Sequence, residues 1–258
     1  MAPKISIITP TFNSSSVILD NMRSVRRQAY ANWEQIIVDG ASTDDTLAKI
    51  NTFLSEGTKV ISEPDNGIYD AMNKGIALAA GDIVGFLNSD DFYAHDQVLA
   101  TIARIMADTS VDACYADLDY VDKCDTQKIK RVWRSQPYHD GLFEKGWMPA
   151  HPTFYVRRDI LYRSGGFDLA FPRQADFELC MRLMAKNRIK ARYCKDVWVK
   201  MRTGGTSNNS VAGILKGNLE AYRACRKNRL QVNVMFIPVK ILSRIPQFVA
   251  AFLQRQAS

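Results

Sequence analysis

The 258-residue chain has little of what several functional classes require. Its five cysteines, Cys114, Cys124, Cys180, Cys194 and Cys225, are odd in number and include no Cys-x-x-Cys pair. That argues against a disulfide framework and a structural zinc site, and it suits a reducing cytosol. Histidine is rarer still, with three residues. No Gly-x-Gly-x-x-Gly follows the first strand-like stretch and no Walker-type glycine-lysine loop occurs, which weakens a dinucleotide-cofactor reading. Strand-like residues begin within about four positions of Met1, too soon for a secretory apolar core, so the expected location is the cytoplasmic side.

What is present is an ordinary globular composition, 47% apolar and 24% charged, enough for one large α/β domain with a small C-terminal appendage. The formal net charge of +7 is uneven, because basic residues greatly outnumber acidic ones from Lys186 onward. Such a tail suits nucleic acid or an anionic membrane surface, and the arrangement of its apolar residues must decide which.

The first half alternates strands and helices. Lys4 to Pro10, Glu34 to Gly40 and Thr58 to Glu63 read as strands, Ile68 to Ala79 as a helix, and Ile83 to Leu87 as a further buried strand. Strand and helix in alternation predict a parallel sheet wrapped by helices, with ligands beyond the carboxyl ends of its strands. Asp39 and the pair Asp90-Asp91 fall at those ends. Two neighbouring carboxylates either hold a shifted proton or share a cation, and oxygen-only ligands favour Mg²⁺ or Mn²⁺. Taken locally, a capping role suits Asp39 equally well, and a solvated turn accounts for the pair.

Four segments, Ile5 to Asn13, Val38 to Asp44, Glu63 to Gly75 and Phe86 to Asp91, together resemble family 2 glycosyltransferases of the GT-A fold. The chain is most similar to bacterial transferases of the colanic-acid and O-antigen type, over roughly residues 4–210. The resemblance implies a Rossmann-like, mostly parallel central sheet flanked by helices. Thr9, Pro10 and Phe12 match the loop around the nucleobase, and Asp39 matches an acceptor for the base. Asp70, Asn73 and Lys74 match the segment near ribose and diphosphate. Asn88-Ser89-Asp90 aligns with the family's Asp-x-Asp motif, its last carboxylate the metal ligand, and Asn88 in place of an acid leaves Asp91 to share the cation.

Further on, Asp112 to Tyr120 is strand-like and Lys123 to Tyr138 polar and basic. Trp147 and His151 lie in a turn-rich aromatic stretch resembling the family's acceptor side. A helix around Arg173 to Leu183 puts Glu178, Arg182 and Lys186 on one polar face and sets Asp176 at the head of an apolar stripe. By resemblance Asp176 is the catalytic base, although Ala175 stands where the family usually has glutamate. Met201 to Ser207 resembles a flexible loop that brings Arg202 to the diphosphate.

The tail from Val234 to Leu253 is apolar but interrupted by Pro238, Lys240, Arg244 and Pro246, which favours an interfacial segment over a spanning one. Arg223, Arg226, Lys227, Arg229, Lys240, Arg244 and Arg255 could meet anionic lipid. Packing on the chain's own domain or in a homodimer is the alternative. The expected division is a transferase domain, 1–210, and an amphipathic, membrane-associating helical extension, 211–258. The expected reaction is metal-dependent inverting transfer from a nucleotide-diphosphate sugar, UDP-linked, to a polyprenyl-diphosphate-linked oligosaccharide for a bacterial surface polysaccharide. No nucleic-acid partner is expected, and the protein is placed at the cytoplasmic face of the inner membrane. A nucleotidyltransferase and a non-catalytic nucleotide-sugar-binding partner are the rival readings.

Overall fold

A computed structural model describes residues 2–204, 211–243 and 247. The apolar runs of the first half become β1 (Ile5–Thr11), α1 (Ile18–Arg26), β2 (Trp33–Asp39), α2 (Thr46–Thr52), β3 (Thr58–Ser62), α3 (Ile68–Leu78) and β4 (Ile83–Phe86). All seven residues of β1 are buried, as a strand covered on both faces requires. Its alternate side chains serve two cores. Ile5 and Ile7 pack with Ile83 and Leu87, whereas Ile8 faces Met72 and Ile76 of α3.

The second half adds β5 (Phe92–Tyr93), α4 (Val98–Met106), β6 (Ala113–Val121), β7 (Ile129–Trp133), β8 (Tyr155–Arg157), α5 (Arg158–Arg163), α6 (Ala175–Met181), β9 (Ala191–Arg202), α7 (Val211–Lys227) and α8 (Phe236–Leu242). Strand order is β3-β2-β1-β4-β8-β6-β9-β5, with β7 hydrogen-bonded to β6. The first four strands are parallel, β8 runs against both β4 and β6, and β6 and β9 are parallel to each other. Gly85 makes the β4–β8 junction possible, since a Cβ there would lie 2.1 Å from the Tyr155 ring. Chain order reverses between β1 and β4, and the loops leaving them open a crevice.

The polar stretch after Lys123 contains β7, in which Arg131 and Val132 are buried. Three sequence expectations need correction. Met201 and Arg202 end a twelve-residue strand instead of beginning a loop, because β9 pairs with β6 as far as Val121↔Arg202. The Glu178 face of α6 is covered rather than solvated: Glu178 is 1% exposed. Arg182 Nε donates to it at 2.9 Å, and so does Asn228 Nδ2, also at 2.9 Å. Residues of α7 and α8, including Ala221, Ala224, Cys225 and Phe236, join the same core as α6. Lys240 therefore does not reach outward; it is 1% exposed and donates to Gln174 Oε1 at 2.8 Å. Gly205, Thr206, Ser207, Arg244, Pro246 and Arg255 lie outside the described residues.

Candidate active site

The crevice between β1 and β4 is a cleft of about 470 Å³. Pro10 and Phe12 form one side, Asn88, Ser89 and Asp90 another, and Arg202 a third. Phe12 is 60% exposed, an apolar ring kept in water at the rim. Ser14 and Ser89 share a hydrogen bond of 2.8 Å, tying the loop after β1 to the loop after β4. Asn13, with φ of 46°, accepts from the Thr43 amide at 2.9 Å through Oδ1. A non-glycine residue in this left-handed region is held there by its surroundings, here the next loop of the cleft wall.

Polar groups beneath the cleft set the Asn88–Asp91 turn. Asn21, fully buried on the core face of α1, donates through Nδ2 to the Asn88 carbonyl at 2.8 Å and the Asp91 carbonyl at 3.0 Å. Gln35 Nε2 in turn donates to Asn21 Oδ1 at 2.8 Å and Thr9 Oγ1 at 3.0 Å. Thr9 is thus a buried support below the cleft rather than part of its lining. The sequence did signal Asn21, as an amide interrupting the apolar face Ile18, Met22, Val25.

Asp90 lines the cleft, and burial raises its pKa against the opposing charge of Arg202. Asp91 is 0% exposed, and its pKa is pushed well above the usual carboxylate range by burial first and by the charge of Asp90 second. Among the described residues no donor meets hydrogen-bond geometry at either Asp91 oxygen, nor at Asn88 Oδ1. Unsatisfied oxygens beside two raised carboxylates are a donor set with affinity for a hard cation. No cluster of three acidic, histidine or cysteine ligands occurs among the described residues, so such a cation would need water and substrate oxygens to complete its shell. Arg202 is engaged: Nη1 donates to the Asp90 carbonyl at 2.8 Å and Nη2 to Asp20 Oδ2 at 2.6 Å. It braces the acidic turn. Lys123, which sequence reasoning passed over, also lines the cleft.

Other anticipated ligands have structural engagements. Asp39 is fully buried and accepts from the Ser42 amide at 2.9 Å and the Ser62 hydroxyl at 2.7 Å. Asp70 accepts from the Asn66 amide at 2.9 Å, and Lys74 donates to the Pro64 carbonyl at 2.7 Å while pairing with Glu63 at 2.9 Å. Those two staple the loop ahead of α3. Asn73 clasps Phe167, donating to its carbonyl at 2.9 Å and accepting its amide at 2.8 Å. The adjacent Gly166, at φ 67°, has no room for a Cβ because Asn73 Oδ1 would be 2.5 Å away. None of the four lines the cleft; from the segment around them, Asp65, Gly67, Ile68 and Ala71 do.

A second polar centre forms where Tyr69 of α3 meets α6. Asp176, in the first turn of α6, accepts from the Tyr69 hydroxyl at 3.0 Å through Oδ1, and His151 Nδ1 lies 3.2 Å from Oδ2. Burial, then the Asp176 charge, drives the Tyr69 pKa well above its ordinary value, so Tyr69 remains a donor. Burial lowers the His151 pKa against the pull of Asp176. Tyr69 was not singled out in the sequence, where only its place on α3 beside Ile68 was visible; Ile68 and Ala71 on that helix line the cleft. Trp147 packs among Tyr115, Tyr138 and Phe143 and is half-buried in that aromatic group.

Comparison with known proteins accords with this architecture. Among solved structures, a mannosyltransferase from Pyrobaculum calidifontis, described in complex with GDP-Man and Mn²⁺, aligns with a TM-score of 0.66 at 19% identity, covering 100% of this chain and 76% of that one. S. aureus TarS aligns with a TM-score of 0.63 at 20% identity, covering 87% of this chain and 39% of that one. At these identities the likeness is one of fold, and the fold is GT-A. A PGL/p-HBAD biosynthesis glycosyltransferase of Mycobacterium tuberculosis is 32% identical over 214 residues, 81% of each chain. The O-antigen biosynthesis protein RfbC of Myxococcus xanthus is 30% identical over 194 residues, 70% of this chain and 14% of that protein. Residues 6–165 match the model of Glycosyl transferase family 2. A chain with the GT-A fold, relatives named for PGL/p-HBAD and O-antigen biosynthesis, and a family match across most of its sheet belongs to glycosyl transferase family 2 and is a glycosyltransferase.

Proposed function

We propose that the protein transfers a sugar from a nucleotide-diphosphate sugar, UDP-linked, to a hydroxyl of a polyprenyl-diphosphate-linked oligosaccharide during assembly of a bacterial surface polysaccharide. The observation that carries the reading is the pair of polar centres that share α3, whose Ile68 and Ala71 line one and whose Tyr69 holds the other. One is the cleft with Asp90 at a strand-order reversal, suited to a diphosphate and its cation; the other is Asp176, held by Tyr69 and His151. In this reading Phe12 offers a face for the base, while Asn88, Ser89 and Lys123 meet the ribose and phosphates.

Asp90, with Asp91 behind it, would hold Mg²⁺ or Mn²⁺, which when bound supplies Lewis-acid stabilisation of the leaving diphosphate. Asp176 accepts the proton of the acceptor hydroxyl as its oxygen attacks the anomeric carbon. The sugar–phosphate bond breaks on the opposite side, so a single displacement inverts the configuration. Tyr69 fixes one carboxylate oxygen and leaves the other toward His151.

The reading extends to peripheral work at the cytoplasmic face of the inner membrane, where such an acceptor would be presented. Among the described residues no helix is long and apolar enough to cross a membrane. Calorimetric titration with UDP, GDP and CDP, with and without Mn²⁺, tests the donor side. UDP binding that depends on the metal and falls by more than about tenfold in Asp90→Ala is the expected result. Absence of nucleotide binding under every condition would reject it.

A further inference from the structure

Helix α8 has its polarity reversed. Its inward face carries Phe236 and Lys240, and the Lys240 ammonium lies 4.1 Å from the Phe177 ring centroid. Outward and just ahead of the helix stand Val234 at 80% exposure, Met235 at 58% and Leu242 at 60%, with Val239 and Ile241 exposed by about 40%. A surface helix that meets only water shows the opposite arrangement. On α7, Leu215 and Leu219 are exposed in line with Arg223 and Arg226 at helical spacing.

The elbow between these helices is cationic. Arg226, Arg229, Leu230, Gln231, Val232 and Asn233 line a groove of about 540 Å³ directly before Val234. Glu220 is the only acid from Val211 to Ser243, and its Oε2 accepts the Arg173 amide at 2.9 Å. Arg229 adopts φ of 64° where α7 ends, with the Leu230 amide closing the turn onto the Cys225 carbonyl at 3.0 Å. Glycine or asparagine normally fills this left-handed position, so an exposed arginine there keeps its charge against a backbone preference.

We propose that the α7–α8 elbow docks onto an anionic phospholipid bilayer, with Val234, Met235 and the outer face of α8 entering the interface and Arg226 and Arg229 meeting lipid phosphates. Apolar side chains beside Arg226 and Arg229, which form no ion pair with an acid of the described residues, match the two layers of such a surface, acyl boundary and phosphate plane. Docking requires neither nucleotide nor acceptor, so it stands or falls separately from the transfer reaction.

Flotation of the full chain with vesicles of phosphatidylcholine, alone or mixed with phosphatidylglycerol, tests the proposal. The protein is expected to float with the mixed vesicles, less so with neutral ones, and less as salt rises. The double variant Val234→Asp/Met235→Asp should partition on the order of tenfold less. Arg229→Gly should lose roughly fivefold in binding to anionic vesicles while its melting temperature stays level or rises, because glycine relaxes the turn. Failure of the wild type to float with anionic vesicles would overturn the proposal. So would undiminished flotation of both variants, or a dimer in sedimentation that the double variant abolishes.

Discussion

The cleft at the β1–β4 reversal and the centre around Asp176 are built by different means. The cleft comes from short loops that leave adjacent parallel strands, so its lining residues lie in contiguous stretches such as Pro10–Ser14 and Asn88–Asp90. The Asp176 centre comes from contacts between positions far apart in the chain: Tyr69 and Asp176 are separated by 107 residues. In the first region backbone topology delivers the chemistry, and buried amides such as Asn21 only refine it. In the second, contacts between Tyr69 of α3, α6 and the turn bearing His151 bring together residues that the sequence marks only singly, and no local pattern announces that they meet.

The strongest way to separate the two regions is Asp176→Asn. Loss of a general base predicts a fall in kcat of about 10²- to 10⁴-fold. Nucleotide affinity, which belongs to the cleft, should remain within a few-fold of the wild type. A matching loss of nucleotide binding would merge the two centres into one and break the contrast.

A smaller effect concerns the buried carboxylate behind the cleft. Burial raises the Asp91 pKa in the folded state, so the metal-free protein holds that proton more tightly than the unfolded chain does. Its stability therefore declines as pH rises through the folded-state value, when a buried charge must form without a partner. Asp91→Asn removes the charge, and the variant should be more stable than the wild type by about 1–3 kcal/mol in metal-free buffer near pH 8. Denaturant melts near about pH 5 and about pH 8 check the sign, since the gap should narrow on the acid side. Added Mn²⁺ should stabilise the wild type more than the variant if Asp91 shares the cation with Asp90.

The finest test is Tyr69→Phe, which keeps the ring against Phe167 and deletes only the hydroxyl that donates to Asp176. A net hydrogen bond of this kind predicts roughly a two- to tenfold drop in kcat with little change in the KM for nucleotide sugar. Steady-state kinetics that showed the reverse split would place Tyr69 with the cleft instead.

How much could be read beforehand follows the same division. The buried runs of β1, β2 and β4 are visible as apolar stretches, and the acids at their ends mark the sheet edge. The strand pairing of β7 and the long reach of β9 are not, because these half-buried strands carry polar residues that resemble loops. Asp39, Asp70, Asn73 and Lys74 sit in segments with the right residue types, yet their side chains turn to Ser42, Asn66, Phe167 and Glu63. Chain position alone does not say which way a carboxylate points.

The sequence by itself determined the alternation of strands and helices, the parallel first half, the edge on which a ligand would lie, and the acidic turn at Asp90-Asp91. These depend on local periodicity and on where apolar runs stop, both of which are properties of neighbouring residues. Tertiary structure alone decided that Asp176 meets Tyr69 and His151, that Glu178 is buried beneath Asn228, and that α8 hides its lysine and shows its apolar side. Those outcomes depend on which surfaces pack together over long separations, where burial converts the same residue from a solvated charge into a partnered or unpartnered one.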